Sequence, residues 1–171
     1  MALRFGVAGT GYWASEVHLP GLLRTNGAEV VGLWGRTPSH VEEIAKRYQI
    51  RPFSRLSDML AEVDAVSIAV QPRAQRDIAL AAAQACKHLI LEKPLAQTVE
   101  DAQAIEAAVK TTGVASLVFF SRRFVPEIAA TIEAERGAGW TRGQVRVHSS
   151  VMVTDSPYHD SRWRQEPDAA L

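Results

Sequence analysis

The chain has one cysteine, Cys86, which excludes an intrachain disulfide and any fold that depends on a disulfide framework. In the stretch "LAAAQACKHL" this cysteine reads as a small buried hydrophobe and not as a nucleophile. There is no excess of charge either: Lys and Arg number 19 and Asp and Glu number 19, for a formal net charge of zero. That balance removes the general electrostatic argument for a nucleic-acid or anionic-membrane partner, and the basic clusters "SRRF" and "SRWR" are too short to restore it. No apolar run approaches the roughly 20 residues of a membrane span. The opening "MALRFGVAGTG" is too short and too broken by glycine for a secretory leader, so a reducing cytoplasm is the expected setting. With 47% hydrophobic and 22% charged residues, the composition is that of a folded globular chain.

What is present is an alternation of β-prone and helical stretches. Strands are expected over 3–9 ("LRFGVAG"), 29–35 ("EVVGLWG"), 51–54 ("RPFS"), 64–70 ("DAVSIAV"), 87–92 ("KHLILE") and 115–120 ("ASLVFF"). Several are nearly continuous apolar runs, as parallel strands covered on both faces require. Helices are expected between them. "SHVEEIAKRY" opens on a Ser-x-x-Glu capping box from Ser39 to Glu42, and "RAQRDIALAAAQA" is a strong helix former. "TVEDAQAIEAAVK" starts at Thr98 with acids in its first turn. Pro20 should kink or break the first helix. The pattern predicts an α/β doubly wound parallel sheet over residues 1–121, with ligands bound along the carboxyl edge of its strands. From about residue 122 the rhythm changes to one helix ("VPEIAATIEAER") and one alternating strand over 143–153. Residues 122–171 therefore read as the opening of a second, α+β domain.

The first strand runs into Gly9-x-Gly11-x-x-Ala14. Gly9 permits a tight turn, Gly11 lets the backbone approach a pyrophosphate, and Ala14 lets helix and sheet come close; Thr10, Tyr12 and Trp13 fill the loop. The helix that follows turns its N-terminus toward the anion. After a β-strand and before another, this spacing points to a dinucleotide. At the end of the second strand, where NAD-binding folds place an acid on the adenosine ribose, this chain has Gly35, then Arg36, Thr37 and Ser39. Without the acid there is no repulsion toward a 2′-phosphate. Arg36 supplies a planar charged contact and Thr37 or Ser39 a hydroxyl, which favours NADP while leaving NAD possible. The competing reading makes Arg36 a solvated loop residue. The missing acid also counts against a methyltransferase, and no tyrosine has a lysine four residues on, which counts against a short-chain dehydrogenase.

The stretch "HLILEKPLAQ" (88–97) carries the chemistry. Pro94 lacks an N–H and ends the strand ladder. It also restricts Lys93 to an extended backbone, across a bond that can be cis. A lysine is thereby held at the lip of the crevice, with the carboxylate of Glu92 beside it and able to accept from a ribose hydroxyl. Next to an oxidised nicotinamide, the amine of Lys93 would lose basicity and become an acid–base group. A surface Glu–Lys pair is the plainer alternative.

Taken together, the glycine loop, "WGRTPSHVEEIA", "CKHLILEKPLA" and "FFSRRFVPEI" resemble the Gfo/Idh/MocA oxidoreductase family. The resemblance implies a Rossmann domain and an NAD(P)-dependent enzyme acting on sugars, inositols or related polyols. It implies that Lys93 lies near the nicotinamide, orients a substrate hydroxyl and assists proton transfer, and that Glu92 contacts the cofactor. There are departures. In the loop "AVQPRAQRD", where the family commonly has threonine or proline and a histidine, this chain has Val70, Gln71, Pro72 and Gln75; Gln71 and Pro72 can still border the cofactor through their backbones. "FSRRF" stands for the family's "FNRRF", with Arg123 directed to substrate, to a partner subunit or to a structural ion pair.

Arg123 and Trp163 are the candidate substrate contacts, no metal ligands are expected, since "PYHDSRWR" lacks metal-ligand spacing, and His148, His159 and Asp160 do not match the aspartate–histidine motif that the resemblance implies for the second domain. The resemblance further implies that the family's aspartate and histidine fall beyond Leu171. A cofactor-binding fragment of a homo-oligomeric enzyme, with little turnover of its own, is expected. A non-catalytic sensor of dinucleotide or sugar on the same scaffold is the rival, and a structural partner subunit a third possibility.

Overall fold

The computed structural model describes residues 1–144 together with Arg146, His148, Asp155 and Ser156. The expected strand over 143–153 and Trp163 thus fall largely or wholly outside the described residues. The chain divides into two compact units, the first running from Met1 to Phe119 and the second beginning at Phe120.

The first unit is a six-stranded sheet: β1 (Leu3–Ala8), β2 (Ala28–Trp34), β3 (Arg51–Phe53), β4 (Ala65–Ile68), β5 (His88–Leu91) and β6 (Ser116–Val118). The spatial order is β3-β2-β1-β4-β5-β6 and every pairing is parallel. All carboxyl ends therefore lie along one edge, and the order reverses between β1 and β4, where a doubly wound sheet opens its crevice.

Alternation along each strand sorts side chains into two apolar layers. Phe5, Val7 and Leu33 join Ala14, Leu19, Leu22, Val41 and Ile44 on the face covered by the first helix, α1 (Leu19–Leu23), and by α2 (Pro38–Tyr48). Val66, Ile68, Leu89 and Leu91 join the other layer, under α3 (Leu56–Glu62), α4 (Pro72–Gln84) and α5 (Val99–Thr112). Ala79, Ala82 and Ala83 are fully buried, so α4 lies close on the sheet. The same parity turns Ser67, between Val66 and Ile68, toward the first-helix face.

Several local expectations are corrected. α2 begins two residues earlier than the capping box requires: Pro38 occupies its first turn and Thr37 its N-cap, with no side-chain cap bond. Proline's fixed φ favours that first position, so Ser39 lies inside the helix. Thr98, by contrast, caps α5 and accepts from the Asp101 N–H at 3.1 Å.

Pro20 does not break the first helix. A π-helical segment, Ala14–His18, precedes it and runs on into α1, and the wider turn accommodates a residue that cannot donate. Cys86 is exposed, not buried, because α4 ends before it. It has φ 56°, with its N–H on Ala83 O and the Lys87 N–H on Ala82 O. This is a Schellman turn with cysteine where glycine is usual. The seven-residue α3 had no clear signal in the sequence.

The second unit contains a 3₁₀ turn, Ser121–Phe124, and α6 (Pro126–Ala134), which carries Ile128 and Ile132 exposed.

Candidate functional site

Gly9 follows β1 with φ 132°, and a Cβ there would overlap the Ala69 carbonyl oxygen. Only glycine fits this bend. At Gly11 the opposite holds: a Cβ would meet nothing within 4 Å, so the loop opens onto free space in which an anion can approach the backbone. Ala14 is fully buried against the sheet. The helix begins at Tyr12, with Ser15 N–H on Gly11 O at 3.0 Å.

Beside this loop, Gly35 follows β2. A Cβ on it would lie 2.6 Å from Thr10 Cγ2 and 3.2 Å from Val41 Cγ2, so the glycine loop and the end of β2 approach closely through Thr10. Arg36, Thr37 and Ser39 are exposed at the start of α2. Arg36 has no hydrogen bond or ion pair among the described residues. Across the crevice, Gln71 caps α4 and Pro72 is its first residue. The Gln71 Oε1 atom is buried and has no hydrogen-bond partner. A buried acceptor left without a donor at the rim of the crevice suits a polar ligand atom that supplies one.

At the end of β5, the Glu92 carboxylate is drawn inward. Its Oε1 accepts from Trp13 Nε1 at 2.7 Å and lies 3.0 Å from His18 Nε2, while His18 Nδ1 lies 2.7 Å from Ser67 Oγ. A neutral imidazole with its proton on Nε2 satisfies both contacts: it donates to Glu92 and accepts from the Ser67 hydroxyl. The His18 ring also stands edge-on to Phe119, with centroids 5.5 Å apart. Trp13 and His18 are five positions apart, about 140° around a regular α-helix. The π segment is what brings them to one carboxylate.

Glu92 Oε2 accepts from the Lys93 backbone N–H at 3.3 Å. The Lys93–Pro94 peptide is cis. The Lys93 side chain is exposed, with no hydrogen bond or ion pair among the described residues. Behind this turn lies Gln75, fully buried in α4. Its Oε1 accepts from Glu92 N–H at 2.8 Å, and its Nε2 donates to Glu92 O, Leu95 O and Pro94 O at 2.8, 2.9 and 3.2 Å.

The structure thus brings Gly9, Thr10, Gly11, Gly35, Arg36, Gln71, Pro72, Glu92, Lys93 and Pro94 to one sheet edge. Trp13 turns its indole nitrogen inward to Glu92. Arg123 lies in the second unit. Two residues of the network, His18 and Ser67, were not singled out from sequence, and Gln75 was noted only as a departure in the loop "AVQPRAQRD", with no role assigned. His18 and Ser67 are each a polar residue in an otherwise apolar run ("EVHLPGLL", "DAVSIAV"), which was the available signal; Gln75, between Arg73 and Arg76 in "RAQRD", carries none. Among the described residues, no three His, Cys, Asp or Glu side chains cluster as metal ligands, and no helix is long and apolar enough to cross a membrane.

The strongest charge effects lie away from this edge. Arg4 donates to Asp64 from both its guanidinium and its backbone N–H, which holds the Asp64 carboxyl below its ordinary range and raises Arg4. Arg47 likewise lowers Glu16.

Comparison with known proteins agrees with this arrangement. A family model described as an oxidoreductase family with an NAD-binding Rossmann fold matches residues 3–120. The 4-carboxy-2-hydroxymuconate-6-semialdehyde dehydrogenase of a Sphingobium species is 34% identical over 127 residues, which is 72% of this chain and 40% of that protein. The UDP-N-acetylglucosamine 3-dehydrogenase of Acidithiobacillus ferrooxidans superposes with a TM-score of 0.75 at 27% identity, over 81% of this chain and 45% of that one. The WlbA dehydrogenase of Bordetella pertussis, solved with NADH and UDP-GlcNAcA, gives a TM-score of 0.75 at 29% identity, over 83% and 44% of the two chains. The chain spans less than half the length of each of these three. With its glycine bend, its Glu-Lys-Pro turn and its parallel sheet in the family's arrangement, the chain belongs to the Gfo/Idh/MocA oxidoreductase family.

Proposed function

We propose that the chain is the cofactor-binding part of an NADP(H)-preferring oxidoreductase that interconverts a carbinol and a carbonyl on a sugar-like or polyol substrate. The observation that carries this reading is the shared edge: the glycine bend after β1 and the Glu92-Lys93-Pro94 turn after β5 face one crevice and are joined through Trp13 and Glu92. Gly9, Gly11 and the first helix turn would hold the pyrophosphate, and Gln71 and Pro72 would border the cofactor from α4. When bound, the nicotinamide supplies hydride exchange with the substrate carbon. The unpartnered amine of Lys93 holds the substrate hydroxyl and moves its proton. Glu92, engaged with Trp13 and His18, keeps Oε2 toward the turn, where a ribose hydroxyl can reach it.

The preference for NADP(H) rests on Gly35 and on the free guanidinium of Arg36. The substrate class rests on relatives whose names and complexes contain nucleotide sugars. Because this chain covers less than half of those relatives, turnover and subunit association belong to the intact protein, and Arg123 is a candidate substrate contact only there.

Titration of the 171-residue chain with NADPH and NADH, followed by tryptophan fluorescence, tests the cofactor reading. NADPH is expected to bind about tenfold more tightly or better, and Arg36→Ala to erase the difference. Equal affinities would refute the preference, and no binding would refute the site. In the intact enzyme, Lys93→Ala should lower kcat by a factor of about 10² or more.

A further inference from the structure

We propose that Gln75 is the positioning residue for Lys93; this rests on the reading that Lys93 faces the nicotinamide. β5 ends at Leu91, and Pro94 has no N–H, so the sheet ladder cannot engage the backbone on either side of Lys93. Gln75 does so instead. It is fully buried and uses both ends of its amide, accepting from Glu92 N–H and donating to the carbonyls of Glu92, Pro94 and Leu95. These groups flank Lys93 on both sides, and none belongs to Lys93 itself. The Glu92 side chain is fixed separately by Trp13 and His18. The turn is therefore clamped from α4 below and from the first helix beside it, which leaves the lysine side chain as its unrestrained part.

The chemistry of the clamp requires an amide. A carboxylate at position 75 would face three carbonyl oxygens with no donor, and an alkyl group would leave one N–H and three C=O groups without a partner. Gln75 also belongs to α4, whose N-cap is Gln71, so the same helix borders the cofactor and aims the amine. Displacements of about 1 Å at such a group are enough to lose most of its contribution.

A readout other than turnover separates aiming from simple support of the fold. Each lysine of the 171-residue chain is trace-acetylated with acetic anhydride, with and without saturating NADPH, and quantified by mass spectrometry. Exposed Lys46 and Lys110 serve as internal references. In the parent chain NADPH is expected to slow acetylation of Lys93 several-fold and to leave the references unchanged. Gln75→Leu, titrated to its own saturation with NADPH, is expected to lose that protection while the references stay as in the parent.

Parent-like protection of Lys93 in Gln75→Leu would overturn the proposal and leave Gln75 a structural tie. Absence of protection in a parent chain that does bind NADPH would sink the placement of Lys93 instead, and this inference with it. Should Gln75→Leu not fold, Gln75→Glu, which keeps the acceptor for Glu92 N–H, is expected to show the same loss. Failure of both to fold would overturn the aiming role in favour of support alone.

Discussion

The indole of Trp13 and the carboxylate of Glu92, 79 positions apart in sequence, meet in a 2.7 Å hydrogen bond. One belongs to the glycine loop and the other to the turn that carries Lys93, so this bond joins the two halves of the crevice. His18 adds a second nitrogen to the same oxygen at 3.0 Å. Two contacts on one buried oxygen fix the carboxylate's orientation and, with it, the start of the turn.

Trp13→Phe keeps an aromatic ring, smaller than the indole, and deletes the donor. It is expected to destabilise the chain by about 1–2 kcal/mol, read from urea unfolding. Glu92→Ala removes the common acceptor and strands both Trp13 Nε1 and His18 Nε2. Its effect should be the larger of the two. A Trp13→Phe chain as stable as the parent would mean that the bond contributes nothing to the fold.

The two loop glycines should separate stability from binding. Gly9→Ala places a methyl on the Ala69 carbonyl at a left-handed φ, with an expected loss of about 2–4 kcal/mol or failure to fold. Gly11→Ala places its methyl in open space, so stability should stay within about 0.5 kcal/mol of the parent. Nucleotide affinity should nevertheless fall at least tenfold (about 1.4 kcal/mol) if the pyrophosphate needs that space. Unchanged NADPH affinity in Gly11→Ala would contradict the cradle.

Thr10 makes the end of β2 intolerant of the acid that an NAD-binding protein carries. Gly35→Asp alone is expected to weaken both NADPH and NADH, because its Cβ would crowd Thr10 Cγ2 and Val41 Cγ2. In Thr10→Ala/Gly35→Asp the obstruction is relieved and the carboxylate can accept from the ribose, so NADH should become the tighter ligand. Fluorescence titration of the parent, both single variants and the double variant tests this coupling; additive effects would argue against it.

The Arg4–Asp64 pair gives an acid-side prediction. Because Asp64 is held below its ordinary range in the folded chain, its contribution is fully present above the unfolded value of about 3.9. It falls away as pH drops through the lower native value. The urea midpoint of Asp64→Asn should therefore lie below the parent's at pH 7, by a constant gap down to about pH 4, and the gap should close in stronger acid. Both side chains are partly exposed, so a small gap is expected. A gap that widens on acidification would reverse the sign and exclude this origin.

The sheet was legible because its strands are short, apolar and bounded by glycine, proline or polar residues. The six expected strands coincide with β1 to β6 to within about two residues at either end. Thr98 was legible as a cap because threonine followed by two acids has a local meaning. Ser39 was misread for the same kind of local reason: the box pattern was present, but Pro38 started the helix before it. α3 went unseen because only Met59 and Leu60 of its seven residues are buried, which leaves no periodic stripe.

In the site, the glycine loop and the Glu-Lys-Pro turn were readable because each depends on contiguous residues with restricted backbones. The clamp around them was not. Gln75 meets residues 17 to 20 positions away, and Ser67 and Glu92 lie 49 and 74 positions from His18. Such partners are defined only once the sheet has brought four segments together. A lone polar letter in an apolar run marks where to look but does not name its partner.

The π turn at Ala14–His18 limits how this protein can be redesigned. Straightening the first helix into uniform 3.6-residue turns is a routine stabilising edit, yet here it would swing His18 off the face it shares with Trp13. A chain improved in that way should gain helix regularity and lose the grip on the Glu92–Lys93 turn.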